Sequence, residues 1–345
     1  MNTYVTALLI SSLATGTIIT AAANHWLIAW MGLELNTLAI LPLLAHHHTP
    51  RATESAIKYF LTQAAASAMI LLAATMNAYT SGQWDIMHTT TQPALTMLTL
   101  ALAMKLGIAP LHAWLPETMQ GTTLKMALIL ATWQKLAPFA LLYMMTHLLH
   151  TPTILTLAML STLIGGWAGL NQTQLRKLMA FSSIAHLGWL ISIMTLNKHL
   201  ALLTLCLYIN ITTTMFSTML PTNMKSLKDT TTTWSTLPPT MVTLLLTLIS
   251  LGGLPPTSGF LPKWLILKEL VSTNLLIIAT LIALTSLLSL LFYIRITYLM
   301  SLTISPTTQT MKFKWRLLPP TNNLMTTTLP TTVMILPLMP ILVTN

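Results

Sequence analysis

The chain has 345 residues, of which 54% are hydrophobic and only 6% are charged. Soluble domains carry about 25% charged residues, so this composition excludes a protein that is wholly surrounded by water and indicates a membrane protein. The net charge of +10 does not indicate nucleic-acid binding, because the basic residues occur one or two at a time between apolar stretches. The single cysteine, Cys206, excludes disulfides within the chain and zinc or iron–sulfur sites built from several cysteines.

Apolar segments predict an all-α polytopic membrane protein with about eleven transmembrane helices, since a spanning helix needs about 20 mostly apolar residues. The predicted spans are about 3–22, 25–45, 57–79, 94–116, 123–148, 150–170, 178–197, 199–220, 238–273, 274–300 and 323–343. No presequence precedes the first span, as expected of a protein inserted by the compartment that makes it.

The ninth span is too long for one straight helix across a hydrocarbon core of about 30 Å. It contains Pro255-Pro256 and Gly259, which predict a broken helix. Its GLPPTSGFLP (253–262) shares one Gly and two Pro positions with GIAPLHAWLP (107–116) in the fourth span, 146 residues earlier. Copies five spans apart cross the membrane in opposite directions, which predicts two inverted five-helix repeats with broken fourth and ninth helices. Chance similarity between membrane helices is the alternative.

Most basic residues fall on the side of the membrane that holds the predicted N-terminus. They are Arg51, Lys58, Lys125, Arg176, Lys177, Lys225, Lys228, Arg295, Lys312, Lys314 and Arg316. The opposite side has only Lys198 and Lys268, the latter inside the ninth predicted span, and its SGQWDIMHTTTQ loop has Asp85 and no Lys or Arg. The excess of positive charge in cytoplasmic loops then predicts that the N-terminus lies inside and the C-terminus outside.

Four charged residues are predicted near the middle of the membrane, where a charge is costly and usually functional. They are Glu34, Lys105, Lys135 and Lys263. Three central lysines cannot all pair with one glutamate, so at least two lie in water-containing cavities, lose their proton or alternate between partners. We interpret the group as a proton relay. A purely structural ion pair is the other reading.

His186, in SSIAHLGWL (182–190), is also predicted in mid-membrane, with Ser182 and Ser183 one turn before it. A neutral imidazole can accept and donate a proton at once, which suits a relay. A histidine bonded to a backbone carbonyl is equally consistent with the pattern. GGWAG (165–169) lacks the G-x-G-x-x-G spacing and is predicted to be a helix-packing motif. We therefore expect no redox centre, nucleotide or metal on this chain.

These residues resemble the antiporter-like membrane subunits of respiratory complex I, the proton-pumping NADH:ubiquinone oxidoreductase. The matching motifs are WMGLELNTL around Glu34, GIAPLHAWLPE after Lys105, WQKLAPF around Lys135, SSIAHLG around His186, and GGLPPTSGF before Lys263. The resemblance covers essentially the whole chain. Its length and eleven predicted spans resemble the shorter animal mitochondrial form, and longer relatives carry three further N-terminal helices.

The resemblance implies a single membrane domain with repeats at 1–149 and 150–300, followed by a matrix loop and a C-terminal transmembrane helix at 301–345. Glu34 and Lys105 would form a switching pair. Lys135 and His186 would continue a hydrated axis that ends at Lys263. Flavin, iron–sulfur clusters, NADH and ubiquinone would belong to other subunits of the complex.

The same resemblance implies other complex I subunits as partners, with chains 4 and 4L as neighbours, together with membrane lipids. It places the chain in the mitochondrial inner membrane, with the N-terminus in the matrix and the C-terminus in the intermembrane space. Two alternatives stay open from the sequence. One is a subunit of a cation/proton antiporter complex, and the other is a non-transporting structural subunit of the membrane arm.

Overall fold

The computed structural model describes residues 3–46, 48–255, 257–302 and 323–334, and the regular structure in these residues is helical. The α-helices are α1 (Thr3–Ala22), α2 (Trp26–Leu44), α3 (Pro50–Ser81), α4 (Gln92–Leu106), α5 (Trp114–Gly121), α6 (Leu124–Ala131), α7 (Leu136–Met144), α8 (Thr151–Gly169), α9 (Leu175–Met194), α10 (Lys198–Met219), α11 (Leu227–Thr236), α12 (Pro238–Gly252), α13 (Phe260–Ser272), α14 (Leu276–Leu302) and α15 (Asn323–Met334). The chain forms two compact units. Unit 1 is Met1–Ser161 with Met194–Lys198, and unit 2 is Thr162–Ile193 with His199–Asn345.

Eight helical segments in the described residues are long and apolar enough to cross a membrane. They correspond to the predicted spans other than the fourth, the ninth and the last. The fourth and ninth are broken into shorter helices, and residues 335–343 of the last predicted span lie outside the described residues. The count of eleven, the boundaries at 149 and 300 and the inverted relation of the repeats stay predictions.

Both predicted helix breaks are confirmed. Helix α4 ends at Leu106 and is followed by Gly107 with φ of 77°, and α12 ends at Gly252 and is followed by Gly253 with φ of 76°. Each glycine occupies the left-handed conformation that terminates a helix, which residues with a side chain rarely adopt. The chain becomes helical again only at α5 and at α13. Pro256, in the second break, lies outside the described residues.

The predicted fifth span contains a third interruption, which the sequence analysis did not anticipate. Helix α6 ends at Ala131, a short 3-10 turn covers Trp133–Lys135, and α7 begins at Leu136. Pro138 explains the change of geometry. Proline has no N–H to donate to the carbonyl four residues earlier, and its ring collides with that carbonyl in a regular α-helix. Lys135 consequently lies in the interruption instead of in the middle of a continuous helix.

Helix α3 begins seven residues before the predicted span. Thr49 caps its N-terminus by accepting a hydrogen bond from the Ala52 N–H, Pro50 occupies its first turn, and Gly82 ends it with a left-handed backbone. These are ordinary start and stop signals of helices. The predicted span did not include the first two turns of α3, because these turns are polar.

Close glycine contacts hold helices together in both units. In unit 1, a Cβ on Gly16 of α1 would collide with the side chain of Asn36 on α2. In unit 2, a Cβ on Gly165 would lie 2.7 Å from the backbone nitrogen of Ala185 on α9, and one on Gly166 would lie 2.8 Å from Leu288 on α14. The interpretation of GGWAG as a helix-packing motif is confirmed.

Helix α11 was not predicted, because it is short and rich in threonine. In its first turn, the N–H groups of Lys225 and Ser226 donate to Asp229 Oδ2 over 2.7 and 2.8 Å, so this carboxylate caps the N-terminus of the helix. Partial burial opposes ionisation of this carboxyl group, but the two backbone donors outweigh it and the pKa of Asp229 is lowered. A polar helix thus lies between the spans formed by α10 and α12.

Candidate functional site

Lys105 lies in the last turn of α4, immediately before the first break. Its side chain is buried, with 4% of the residue exposed, and its Nζ has no hydrogen-bond partner among the described residues. The carbonyl oxygen of Met104 accepts a hydrogen bond from the Trp114 indole N–H over 2.9 Å. A cation at a helix C-terminus is favoured by the exposed carbonyl dipoles. The break therefore provides Lys105 with a favourable field but no direct acceptor.

A small polar cavity adjoins Lys105. Asn36, Gln63 and Gln134 line it, together with Tyr59 and other residues of unit 1. Both polar side-chain atoms of Asn36, and the amide nitrogens of Gln63 and Gln134, are buried without a hydrogen-bond partner among the described residues. The cavity volume is about 10 Å³, close to the space that one water molecule needs. Because buried polar groups are normally satisfied, this lining has the chemistry of a site for water.

These three amides were not among the predicted site residues, which were charged groups and one histidine. An uncharged amide in the middle of a spanning helix is also costly in lipid. Asn36 lies two residues after Glu34, and Gln134 directly precedes Lys135. Their nearness to the charged residues along the chain was a signal that could have identified them.

Glu34 lies on α2, and two hydroxyl groups hold its carboxylate. Ser67 Oγ donates to Oε1 over 2.5 Å, and Thr37 Oγ1 donates to Oε2 over 2.8 Å. In the described part of the chain, no ion pair joins Glu34 to Lys105, so their expected pairing is not a direct contact here. Thr37, which donates to the Glu34 carboxylate, lines the same cavity as Lys105. Unit 1 thus brings a fixed carboxylate and a buried lysine into the same region.

Lys135 is even more deeply buried than Lys105, with 2% of the residue exposed. It ends the 3-10 turn that Pro138 imposes, and its neighbour Gln134 accepts a hydrogen bond from the Tyr59 hydroxyl at 3.4 Å. The turn therefore places the amide of Gln134, the residue before Lys135, in the wall of the Lys105 cavity.

In unit 2, Lys263 lies in the first turn of α13, directly after the second break. Its Nζ donates to the carbonyl oxygen of Gly252, the last residue of α12, over 2.8 Å, and lies 6.0 Å from the centre of the Trp189 ring. The lysine side chain occupies the space next to Gly253, where a Cβ would lie 2.8 Å from Nζ. Glycine at this position therefore meets both the positive φ and the close approach of the lysine.

His186 and Lys263 line the same cavity in unit 2, which also includes Tyr208. Its volume is about 30 Å³, enough for at least one water molecule. The rings of His186 and Tyr208 are 5.8 Å apart. The hydroxyls of Ser182 and Ser183 donate to carbonyl oxygens of their own helix. The structure thus places His186 and Lys263 at one site, whereas the expectation that His186 also connects to Lys135 stays a prediction.

Known proteins are similar to this chain in sequence and in fold. The family described as "NADH:quinone oxidoreductase/Mrp antiporter, TM" matches residues 23–289, and the family "NADH dehydrogenase subunit 2 C-terminus" matches residues 290–343. NADH-ubiquinone oxidoreductase chain 2 of Xenopus laevis is 52% identical over 316 residues, covering 92% of each chain. That of Tetraodon nigroviridis is 52% identical over 342 residues, covering 99% of this chain and 98% of the relative.

The chain belongs to the NADH-ubiquinone oxidoreductase chain 2 family. A chain in the structure of respiratory complex I from Thermus thermophilus with bound aureothin matches with a TM-score of 0.84 and 25% identity, covering 98% of this chain and 80% of that chain. A chain of the Mrp complex from Dietzia matches with a TM-score of 0.76 over 87% of this chain and 61% of that chain. At 15% identity, this second match shows a shared fold alone.

The antiporter-like fold predicted from the sequence is therefore confirmed, and so is membership of the complex I membrane subunits. The chain 2 relatives place the chain in a multi-pass protein family of the inner membrane. The 52% identity to these relatives favours complex I over a cation/proton antiporter complex, because the Mrp chain is only 15% identical. The described residues contain no cluster of His, Cys, Asp and Glu side chains that could hold a metal ion.

Proposed function

We propose that this chain is a core membrane subunit of proton-pumping NADH:ubiquinone oxidoreductase and that it translocates protons through its buried lysines. The observation that supports this most directly is the environment of Lys105. Its amino group is buried, has no hydrogen-bond acceptor among the described residues, and adjoins a polar cavity that is also lined by Thr37, which holds Glu34. A structural subunit has no need of a buried lysine in this state.

Lys105 acts by gaining and losing a proton as its surroundings change. A buried ammonium group without an acceptor is costly, so small changes in the position of Glu34 or of cavity water alter its charge state. Hydrogen bonds from the hydroxyls of Ser67 and Thr37 hold the Glu34 carboxylate in its observed position. The pair can therefore load a proton when the charges approach and release it when they separate.

Lys263 and His186 form the second proton-transfer site. Lys263 donates to the Gly252 carbonyl in the observed state, and the cavity that it shares with His186 offers water as an alternative partner. Lys135 and His186 then act as intermediate groups and Lys263 as the terminal one. This assignment rests on burial and chemistry within each unit.

The chain works with other complex I subunits, and we infer that chains 4 and 4L are its neighbours in a lipid bilayer. Flavin, iron–sulfur clusters, NADH and ubiquinone belong to the rest of the complex, and this chain couples to them by conformational or electrostatic change. The N-terminus faces the matrix of the mitochondrion and the C-terminus faces the intermembrane space, as the distribution of basic residues favours.

Replacement of the buried lysines tests the proposal. We expect Lys105→Met and Lys135→Met to lower proton pumping and coupled NADH oxidation, because Met keeps most of the side-chain volume and removes the charge. The exposed Lys268 of α13 provides the matched control Lys268→Met, which should pump normally. Normal pumping in both buried variants would rule the relay out, and loss of assembly as their only effect would favour a structural subunit.

A further inference from the structure

Three charged side chains meet at the surface of unit 1, outside the groups considered so far. Lys58 Nζ lies 2.6 Å from Glu54 Oε1 and 2.8 Å from Glu117 Oε2. The side chains of Lys58, Glu54 and Glu117 are 42%, 61% and 49% exposed. The first pair lies within α3, whereas the second joins α3 to α5, the helix that follows the first break. We call the Lys58–Glu117 pair the α3–α5 latch.

The residues next to the latch form a wall of the Lys105 cavity. Tyr59, which follows Lys58, is buried, and its ring packs edge-to-face on Trp114 of α5 at 5.6 Å between centres. Trp114 precedes Glu117 by three residues, so both side chains lie on the same face of α5. Tyr59 and Trp114 both line the cavity. The exposed charges and the cavity wall are therefore parts of one contact between α3 and α5.

The far end of α5 is held against α3 as well. A Cβ on Gly121 would come within 2.6 Å of the backbone oxygen of Arg51 and of the Ser55 side chain. The contact thus continues from Trp114 to Gly121 along the helix. A movement of α5 away from α3 would separate Trp114 from Tyr59 and uncover the cavity on the side of the exposed charges.

We propose that the α3–α5 latch marks the aqueous entrance of the Lys105 cavity, through which water and protons reach Lys105 when α5 moves away from α3. The proposal rests on the proposed function, since an entrance matters only if Lys105 exchanges protons. An exposed ion pair contributes little to stability, so it can open at low cost. The entrance faces the side of the membrane where α3 begins, with Arg51 nearby, which the sequence predicts to be the matrix side.

Access of a reagent to the cavity tests the latch independently of pumping. The reporter is a thiol introduced by Gln63→Cys in the cavity wall, in a chain that also carries Cys206→Ser. The assembled complex is placed in sealed vesicles of each orientation and treated with a membrane-impermeant thiol reagent. Glu117→Gln removes the latch with little change of shape. Glu54→Gln is the matched control, because it removes only the pair within α3.

We expect Glu117→Gln to raise the labelling rate about two- to fivefold, as for the loss of an exposed ion pair. The rise should occur only when the reagent is added from the face where α3 begins. In Glu54→Gln, the Gln63→Cys thiol should be labelled as slowly as in the chain that keeps Glu54 and Glu117. The charge reversal Lys58→Glu with Glu117→Lys should restore slow labelling. Unchanged labelling in Glu117→Gln, an equal rise in Glu54→Gln, or a rise from the opposite face would overturn the latch.

If Glu117→Gln does not assemble, the charge reversal decides the matter, and fast labelling in that assembled double variant overturns the proposal. The labelling rate does not depend on proton pumping. Normal pumping in Lys105→Met and Lys135→Met would remove the proposed function while leaving the labelling result to decide whether the latch covers the cavity.

Discussion

The Nζ atom of Lys263 donates a hydrogen bond to the carbonyl oxygen of Gly252 across the second helix break. At the first break, the equivalent task falls to a neutral group, since the Trp114 indole N–H binds the carbonyl oxygen of Met104. Each break is thus closed by a side chain from the helix that follows it. Lys263 therefore has a hydrogen-bond partner, whereas Lys105, which precedes the first break, has none among the described residues.

The contact between Gly253 and Lys263 leads to a first prediction. Gly253→Ala should lower pumping, because its Cβ would displace the Lys263 ammonium group and the left-handed backbone would cost a further 1–2 kcal/mol, roughly. Gly82→Ala is the control. It has φ of 70°, and nothing lies within 4 Å of its Cβ, so it should cause backbone strain alone. Proton pumping per NADH oxidised is the measurement, and equal losses in the two variants would contradict a specific role for the lysine contact.

A second prediction concerns the hydroxyls that hold Glu34. Ser67→Ala should lower the pumping rate about tenfold, because a hydrogen bond to a charged group is worth about 1.5–3 kcal/mol and its loss frees the carboxylate. Thr37→Val should act in the same direction. Ser192→Ala removes a buried hydroxyl that donates to its own helix, and it should pump normally. Pumping at the unmodified rate in both Ser67→Ala and Thr37→Val would show that Glu34 needs no such support.

The sequence predicts features that depend on single residues, such as a charge within an apolar span or a helix-breaking Gly or Pro. Charges in apolar spans pointed to Glu34 and Lys105, whose roles stay predictions. The Gly/Pro spacing predicted breaks near Gly107–Pro110 and Pro255–Gly259, and the helices before them end at Leu106 and Gly252. The 3-10 turn at Lys135 was missed, although Pro138 was visible, because proline bends some helices and interrupts others depending on neighbouring helices.

The polar cavity could not be predicted from the pattern of residues. Asn36, Gln63 and Gln134 belong to three different elements, α2, α3 and the 3-10 turn, and nothing in their spacing along the chain brings them together. Their shared wall depends on close helix approach, such as that of Gly16 to Asn36. Tertiary packing of this kind has no local signal.

A third prediction follows from the Asp229 carboxylate that caps the N-terminus of α11. The pKa of Asp229 is lowered from its ordinary value of 3.8, so the ionised carboxylate stabilises the helix above that pH, and this stabilisation is lost as the pH falls through the lower folded-state pKa. Asp229→Asn should remove it at neutral pH. Trypsin cleavage after the exposed Lys225 and Lys228 measures the loss, and we expect faster cleavage in the variant at pH 7. Equal cleavage rates would show that the Asp229 cap contributes nothing to the stability of α11.

The last prediction tests whether the Lys105 cavity holds functional water or is a dry packing defect. Asn36→Leu replaces an amide whose buried polar atoms have no partner among the described residues with an apolar side chain of nearly the same shape. Removal of an unsatisfied buried polar group is neutral or stabilising when the site is dry. If the cavity holds the water that serves Lys105, the variant should lose proton pumping, whereas with a dry cavity it should pump normally and keep or gain thermal stability.

Asn77 provides the matched control for this replacement. It is equally buried, but its amide donates to the carbonyl oxygens of Gln83 and His88 and accepts from the Thr90 N–H. Asn77→Leu leaves those backbone groups unpaired, at about 1–3 kcal/mol each if they stay buried, so it should lower the melting temperature of the assembled complex. The opposite pattern, with Asn36→Leu less stable and fully active in pumping, would mean that Asn36 has a packing role and that no functional water depends on it.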